Sequence, residues 1–145
     1  MDRDCPFCAL VAGENPHHVV HETERALAFL DANPLAPGHT LVVPRDHHRR
    51  VRDLPDDTAG GVFGLLHALV GAVEAAVGAD ATTVKINDGE AAGQTVPHLH
   101  AHVIPRSADG SLSAVRDRSV PGAERPDLSA GEMDAVAVAV RDRIQ

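Results

Sequence analysis

The sequence predicts an α+β domain in which an antiparallel sheet carries helices on one face. The length of 145 residues suits one compact core. Short apolar segments separated by turn residues indicate strands in hairpin succession. A long helical periodicity interrupts them before the last two strands, an order typical of α+β folds. Because the sequence contains no repeat and no linker, we expect a single domain over residues 1–145.

The N-terminal part is expected to form a short helix and three strands. The helix covers residues 5–12 and ends at Gly13, because a residue without a Cβ accepts the left-handed conformation that ends helices. Turn residues at 22–24 and a loop rich in Pro and Gly at 33–38 separate the strands. The predicted strands cover residues 18–21, 25–30 and 40–43. This order predicts an antiparallel meander.

The main helix is predicted over residues 57–77. Its apolar side chains recur at helical spacing, and Gly78 follows as a stop signal. Asp57 or Thr58 is the expected N-cap, because their side-chain oxygens can accept the first free backbone N–H groups. This is the longest element that the sequence predicts.

Two further strands and a closing helix complete the prediction. The expected elements are, in order, a strand over residues 82–87, a flexible loop over 88–93, a strand from about 96 to 104 and a loop over 107–128. Pro105 is expected to end the last strand, because proline cannot donate to a sheet ladder. Ser129 and Glu132 match the capping-box pattern, which predicts a helix over residues 133–144.

The composition disfavours several classes of partner. The net charge of −8 disfavours binding to phosphate backbones or anionic lipid. Three Phe with no Trp or Tyr leave few aromatic faces for stacking on single-stranded nucleic acid. No apolar segment approaches the ~20 residues that cross a bilayer, and no basic start precedes an apolar run as in a secretory signal. We therefore expect a cytoplasmic protein that binds neither nucleic acid nor membrane, although a few local donors could still hold a small anion.

The most informative segment is residues 94–106, in which His98, His100 and His102 alternate with apolar residues. Side chains alternate across a strand, so the three imidazoles are expected to project together to one face. A sheet does not need three aligned ionisable rings for stability, because they repel one another when protonated. The pattern therefore predicts a functional site.

Three uses of these histidines compete. A polar, solvent-facing strand is the first. A catalytic metal site is the second, because neutral imidazoles are common zinc ligands, but no carboxylate lies close by in the sequence to support it. The third, which we favour, is nucleophilic attack on phosphorus by a neutral imidazole. The loop upstream suits an anion, because Gly89 and Gly93 let backbone N–H groups approach it, while Gln94 and Thr95 add side-chain donors.

Residues 98–104 follow the pattern His-φ-His-φ-His-φ-φ with φ apolar, which resembles the signature of the histidine triad (HIT) family of nucleotide hydrolases and transferases. The resemblance extends through residues 87–89, 93–96 and 29–39, and covers about residues 5–106. It implies a five-stranded antiparallel sheet with a main helix and short N- and C-terminal helices, paired into a homodimer. Residues 107–145 would add a loop and the C-terminal helix.

The resemblance also implies roles for individual residues around an AMP-like purine nucleotide. His100 looks like the nucleophile that forms a nucleotidyl-enzyme intermediate, and His102 would contact the phosphate. Asp31 would bind the ribose hydroxyls, Phe29 would lie against the base and His39 would sit near the α-phosphate. Core packing is the competing role for Phe29, and a turn or capping role for Asp31. The phosphate and leaving-group side would be lined by Asn87, Gly93, Gln94 and Thr95.

Cys5 and Cys8 are the only two cysteines, and their spacing rarely forms a structural disulfide in a reducing cytosol. The spacing instead matches half of a tetrahedral zinc site. In similar proteins the position of His47 supplies a third ligand and the first triad histidine, here His98, the fourth. The resemblance thus implies structural Zn²⁺ and no organic cofactor. His48 is the competing third ligand, and two unligated thiols are the remaining alternative.

The leading functional hypothesis is an enzyme that acts at the α-phosphate of AMP-type substrates, with adenosine phosphoramidates first, through a covalent nucleotidyl-His100 intermediate. A dinucleoside polyphosphate hydrolase or phosphorylase is the alternative within the same chemistry, because residues 94–96 and 105–106 look similar to that branch too. A purine nucleotide sensor without catalysis is the alternative from another class. A metallohydrolase is the third rival, and it predicts that chelators abolish turnover.

Overall fold

The chain forms a sheet with helices on both faces in a computed structural model that describes residues 5–14, 18–109 and 128–144. The described helices are α1 (Pro6–Val11), α2 (Asp56–Val77) and α3 (Ala130–Arg141). The described strands are β1 (Val19–Glu22), β2 (Ala26–Leu30), β3 (Thr40–Pro44), β4 (Ala81–Ile86) and β5 (Ala101–Arg106). Short 3-10 turns lie at Val51–Asp53 and Glu90–Ala92. Most of the predicted loop at 107–128 falls outside the described residues.

The five described strands form one antiparallel sheet in the order β1-β2-β3-β5-β4. This confirms the predicted five-stranded antiparallel sheet. Inserting β5 between β3 and β4 pairs Leu41 of β3 with His102, and Lys85 of β4 with the same histidine. The triad segment therefore enters the middle of the sheet, where strands flank it on both sides.

The sheet buries apolar side chains on both faces. On one face, residues such as Leu69 and Val73 of α2 and Val140 of α3 pack with Ala28, Leu30 and Val42. On the other face, Leu10 of α1 packs with Leu27, Phe29, Leu41 and Val43. The prediction of helices on one face thus holds for α2 and α3, whereas α1 covers the opposite face. The physical reason is that β2 and β3 are buried along their whole length, so both of their faces need cover.

The strand predicted from about residue 96 begins only at Ala101. Before that point Leu99 donates its backbone N–H to the carbonyl of His48 at 2.7 Å, and His98 donates to Val96 at 2.8 Å, so these groups are not available to a ladder. At its far end β5 continues through Pro105 to Arg106. The backbone N–H of Asp80 donates to the carbonyl of Arg106, on the β4 side of the strand. Backbone groups of successive residues in a strand point to opposite sides, so those of Pro105 point to the β3 side, where the β3–β5 pairing has already ended. A proline there breaks no ladder bond.

The helix ends follow local chemistry. Gly78 ends α2 with φ 68°, as predicted, whereas Pro55 stands at the N-cap in place of Asp57 or Thr58 and makes no side-chain cap. Asp57 instead accepts from the backbone N–H of Thr58 and pairs with Arg25. The capping box of Ser129 and Glu132 is present, and α3 starts at Ala130, three residues before the predicted start.

Helix α2 is long and apolar enough, by length and composition alone, to cross a membrane, contrary to the sequence expectation. Its contacts are those of a core helix, because it packs against β2, β3, β5 and α3. Its outer surface keeps Phe63 39% exposed.

Candidate active site and metal cluster

The three triad histidines do not point into one shared space, because the first two precede the strand. His98 is fully buried beside the two cysteines and His47, with its ring centroid 5.0 Å from that of His47. His100 and His102 remain neighbours, with ring centroids 5.1 Å apart. The predicted alternation therefore holds for the pair His100 and His102, whereas the bend at residues 96–100 turns the His98 ring toward α1.

The tautomer of His100 is set by a backbone carbonyl. Its Nδ1 lies 2.8 Å from the carbonyl oxygen of His98, which can only accept, so Nδ1 carries the proton in the neutral ring. Its Nε2 then holds the lone pair, and within the described residues Nε2 has no hydrogen-bond partner. The residue is 7% exposed. In its neutral form His100 thus presents an oriented nitrogen lone pair in a largely buried site, as nucleophilic catalysis requires.

The tautomer of His102 is set by a second histidine. The backbone N–H of Leu35 donates to Nδ1 of His39 at 3.0 Å, so neutral His39 carries its proton on Nε2. That Nε2 lies 3.0 Å from Nδ1 of His102 and donates to it. Neutral His102 then carries its own proton on Nε2, which is a donor suited to an anionic oxygen.

Asp31 closes the far side of this histidine pair. Its Oδ2 lies 3.5 Å from Nε2 of His39, and its Oδ1 accepts from the backbone N–H of Asn33 at 2.9 Å. Asp31, His39 and His102 keep their ligand atoms within 4.8 Å of one another, a spacing that a metal ion could also use. A metal is disfavoured at His39, because Nε2 already carries a proton while the Leu35 amide occupies Nδ1. The group is better described as a hydrogen-bonded relay.

Phe29 and Phe7 form an apolar wall next to the triad. Phe29 is 3% exposed and packs in the cluster under α1. Phe7 contacts Phe29 with ring centroids 5.6 Å apart and approaches His100 edge-on at 5.0 Å. Core packing, the competing role for Phe29, is therefore observed, while partly exposed Phe7 is the aromatic ring nearest the predicted nucleophile. Sequence reasoning missed Phe7, although its position between the two cysteines was a usable signal.

The loop before the triad is held together by Gln94. Its Oε1 accepts from the backbone N–H of Gly89 at 2.9 Å, and its Nε2 donates to the carbonyls of Arg49 at 2.8 Å and Val96 at 3.0 Å. Both amide protons are thus engaged with backbone, so Gln94 organises the loop instead of offering the free donors that the sequence predicted. Among its neighbours, Asn87 lies against Gly93 with a 3.4 Å contact to the carbonyl, and Thr95 is exposed.

Lys85 is a second residue that sequence reasoning missed. It pairs with His102 across the β4–β5 ladder, so the two side chains leave the sheet on the same face. This places a cation beside the face that carries His102. Only the strand register reveals the relationship, since 17 positions separate the two residues in the sequence.

Cys5, Cys8, His47 and His98 form one cluster whose ligand atoms all lie within 4.8 Å of one another. Nδ1 of His98 lies 3.3 Å from Sγ of Cys5 and 3.4 Å from Sγ of Cys8, and Nδ1 of His47 lies 3.1 Å from Sγ of Cys8. Two ligands of a tetrahedral zinc ion, one sulfur and one nitrogen, stand about 3.5 Å apart. The four residues therefore fit such an ion with little movement, and His48 is not in the cluster.

The tautomer of His98 also fits a metal ligand. Its Nε2 donates to the carbonyl of Pro44 at 2.9 Å, which leaves the lone pair on Nδ1, the atom that faces the sulfurs. Such a hydrogen bond on the far nitrogen is the usual support for a ligating imidazole. Burial lowers the pKa of His98 from 6.5 to about 4, although the Pro44 contact opposes that shift, so the ring is neutral at physiological pH.

Several characterised and uncharacterised proteins resemble this chain. An uncharacterised HIT-like protein of Methanocaldococcus jannaschii is 42% identical over 109 residues, which is 74% of this chain and 84% of the relative. An adenylylsulfatase of Arabidopsis thaliana is 34% identical, over 79% of this chain and 58% of the relative. An adenosine 5′-monophosphoramidase of Schizosaccharomyces pombe is 37% identical, over 70% of this chain and 74% of the relative. Relatives thus include enzymes that are named for adenylyl compounds.

Solved structures extend the likeness to almost the whole chain. A zinc-bound histidine triad family protein of Mycobacterium smegmatis superposes with a TM-score of 0.78 and 35% identity, covering 97% of this chain and 92% of that one. The family model for the HIT domain matches residues 12–109, which contain the triad, the Gln94 loop and the Asp31 region. Taken with the fold and the paired histidines, these matches lead to one conclusion: the chain belongs to the HIT domain family of nucleotide hydrolases and transferases.

Proposed function

We propose that this protein hydrolyses or transfers at the α-phosphate of AMP-type conjugates through a covalent nucleotidyl-His100 intermediate. The observation that carries the proposal is the 2.8 Å contact from Nδ1 of His100 to the carbonyl of His98, because it leaves the lone pair on Nε2. The relatives named adenylylsulfatase and adenosine 5′-monophosphoramidase support an adenylyl group as the part of the substrate that is retained.

The chemical steps follow from the two tautomers. The lone pair of His100 Nε2 forms a bond to the α-phosphorus while the bond from phosphorus to the leaving group breaks, and the leaving group departs with that electron pair. An amine leaving group also takes up a proton from solvent, so it departs as the neutral amine. The Nε2–H of His102 donates to a phosphate oxygen as charge develops there, oriented through His39. Water then cleaves the N–P bond, which releases the nucleoside monophosphate and returns the lone pair to His100.

We assign the nucleotide to the face of the sheet that carries His102. In this proposal Asp31 accepts hydrogen bonds from the ribose hydroxyls, because a carboxylate can accept two at once. Phe7, which is partly exposed beside His100, gives an apolar surface for the purine, with the buried ring of Phe29 behind it, while Asn87, Gly93 and Thr95 line the phosphate and leaving-group side. Gln94 is a positioning residue that keeps this loop closed through its three backbone contacts.

We assign zinc to Cys5, Cys8, His47 and His98 as a structural ion. The likeness to a zinc-bound protein and the fit of the four ligands support this assignment. Bound zinc would supply a closed Cys2His2 clamp that joins α1, the loop after β3 and the triad segment, and it would take no part in the reaction. Both thiols and the His98 ring are almost fully buried, which suits a structural site.

Turnover of an AMP-lysine phosphoramidate by wild type, His100→Ala and His67→Ala tests the proposed function. His67 is an exposed histidine on α2 and serves as the matched control. We expect His100→Ala to lose on the order of 10³-fold in kcat/KM, whereas His67→Ala keeps the wild-type rate. Acid-quenched wild type should also carry the mass of a nucleotidyl group, which His100→Ala should lack.

Other results of the same experiment identify the rivals. Tight AMP binding with no turnover by wild type would instead indicate a nucleotide sensor. Turnover that is lost at once on chelation, before any unfolding is detected, would indicate a metallohydrolase. Equal rates for wild type and His100→Ala would overturn the proposed nucleophile.

A further inference from the structure

Lys85 lies on the face of the sheet that carries the candidate site. It pairs with His102 in the β4–β5 ladder, and Leu41 of β3 pairs with His102 from the other side. Residues that are paired across a ladder project to the same face, with their Cβ atoms about 5 Å apart. Leu41 belongs to the cluster packed under α1, so this face is the one that α1 covers in part. Lys85 therefore projects beside His102, where the nucleotide is proposed to bind.

Helix α1 covers only the β2–β3 half of this face. Among the described residues, the apolar cluster under α1 takes none from β4 or β5. On the other half, Thr83 and Lys85 of β4 stand opposite Ile104 and His102 of β5. Lys85 is partly buried. A lysine in such a position keeps its apolar stem against the sheet and extends its ammonium toward solvent or an anion.

The two strands around this position contain cations and no acid. Lys85 and Arg106 are the charged residues of β4 and β5 at neutral pH, because neither strand contains Asp or Glu. Nε of Arg106 donates to Oγ1 of Thr83 at 3.0 Å, which keeps the second cation on the same face. The acids that flank β4 are Asp80 and Asp88, and each accepts a backbone N–H from another loop. No acid within these strands offsets their positive charge.

Lys85 is also the only lysine of the chain, since the other members of its 13 Lys and Arg residues are arginines. The two cations differ in geometry. A guanidinium is a planar fork that suits two oxygens at once, whereas an ammonium is a compact charge with three donors that suits a single oxygen. Nε2–H of His102 is already assigned to one phosphate oxygen. A point charge beside it fits a neighbouring oxygen of the same group.

We propose that Lys85 is a phosphate-binding residue, whose ammonium contacts a nonbridging oxygen of the α-phosphate next to the oxygen that His102 contacts. The inference rests on the proposed function and adds a cation to a site otherwise built from histidines and amides. As His100 attacks, negative charge on the nonbridging oxygens increases, so the ammonium stabilises the transition state more than the bound substrate. Lys85 transfers no proton in this role. The site should consequently select ligands whose phosphorus carries an anionic oxygen.

The first test separates the phosphate from the rest of the nucleotide. We would measure Kd by calorimetry for AMP and for adenosine, which lacks the phosphate, with wild type, Lys85→Gln and Lys85→Arg. We expect Lys85→Gln to weaken AMP binding about tenfold and to leave adenosine binding unchanged. Lys85→Arg should recover most of the loss, because it restores the charge. Arg143→Gln is the charge-matched control, since it removes one exposed cation after α3 and should bind both ligands as wild type does.

Two further measurements use the same variants. Turnover of the AMP-lysine phosphoramidate should fall about tenfold or more in kcat for Lys85→Gln and less for Lys85→Arg. The single lysine also permits direct chemical labelling of wild type. Acetylation with an activated ester, followed by peptide mapping in a mass spectrometer, reports on Lys85 alone among the side chains. AMP should slow this acetylation, whereas adenosine should not.

The outcomes distinguish this inference from the proposed function. If Lys85→Gln binds AMP as wild type does, or loses AMP and adenosine affinity equally, Lys85 does not bind the phosphate. The proposed function then stands provided that the phosphoramidate is still turned over through His100. If wild type binds AMP and turns over no conjugate, the proposed function fails, while the comparison of AMP with adenosine still decides the role of Lys85. A wild type that binds AMP no better than adenosine would overturn the role of Lys85 directly.

Discussion

Nε2 of His39 lies 3.0 Å from Nδ1 of His102, and this single contact decides which nitrogen of His102 can reach a ligand. The backbone N–H of Leu35 donates to Nδ1 of His39, and Nε2 of His39 in turn donates to Nδ1 of His102. The backbone of Leu35 thereby sets the donor that would face the phosphate in the proposed function.

We expect His39→Leu to reduce kcat on the order of 100-fold, because His102 would lose its tautomer partner. His39→Gln should recover most of that loss, since a glutamine can accept from Leu35 and donate to His102. The measurement is kcat on an AMP conjugate, with thermal unfolding of each variant as the control for stability. Equal activity losses in the two variants would mean that His39 matters only for packing.

The metal cluster predicts a separable effect on folding. Purified wild-type protein should contain zinc, whereas Cys8→Ser should lose it and melt on the order of 10 °C lower. His48→Ala is the matched control, because His48 neighbours His47 in sequence but lies outside the cluster. Zinc content by elemental analysis and Tm by calorimetry would measure both effects. Metal-free wild type grown with ample zinc would contradict the assignment.

Asp88 predicts a pH-dependent difference in stability. The backbone N–H of Val51 donates to its Oδ1 at 2.9 Å, and this contact holds the pKa of Asp88 below 3.8, with help from Arg50 and against partial desolvation. A carboxyl whose pKa is lower in the folded state stabilises the fold above its unfolded pKa, and this contribution is lost as the pH falls through the folded value.

The Tm difference between wild type and Asp88→Asn should therefore stay constant from pH 7 to 5 and narrow below about pH 4. Exposed Asp46→Asn is the control for removing one carboxylate from the loop region. A difference that is the same across this range would show that the Val51 contact does not depend on charge.

The edge strand β4 is the surface through which we expect the homodimer to form. It pairs with β5 on one side and has no described strand on the other, and Val84 is 46% exposed. Unpaired edges favour association with a second strand. Val84→Arg should shift the chain from dimer to monomer in light scattering after gel filtration. Val138→Arg, at a site on α3 that is 49% exposed, is the control. A wild-type monomer, or an unaffected dimer in Val84→Arg, would exclude this edge.

The sequence predicted the elements well where periodicity and local chemistry decide. The helix that ends at Gly78 and the capping box at Ser129 are cases in which one turn of chain contains the whole signal. The start of β5 was predicted about five residues early, because nothing local shows that the Leu99 amide bonds to the carbonyl of His48. The side on which α1 packs depends on the second buried face of β2, which is also a tertiary property.

For the candidate site, too, the sequence predicted some features and missed others. The resemblance implied Cys5, Cys8, His47 and His98 as one set, and the structure brings these four side chains together without that of His48. It did not reveal that Gln94 donates its side-chain amide protons to the backbone carbonyls of Arg49 and Val96, because that depends on where Arg49 lies. The places of Phe7 and Lys85 each depend on how distant segments pack or pair, which the sequence alone does not specify.

The side chain and the backbone of His98 have different structural roles. Its ring lies among the thiols of the N-terminal segment, while its main-chain oxygen holds the proton of the neighbouring imidazole. Because the ring and the carbonyl belong to the same residue, displacing the ring would also move the peptide that orients His100. Loss of either thiol should consequently loosen the N-terminal segment and, in the same event, misalign the nitrogen that attacks in the proposed reaction.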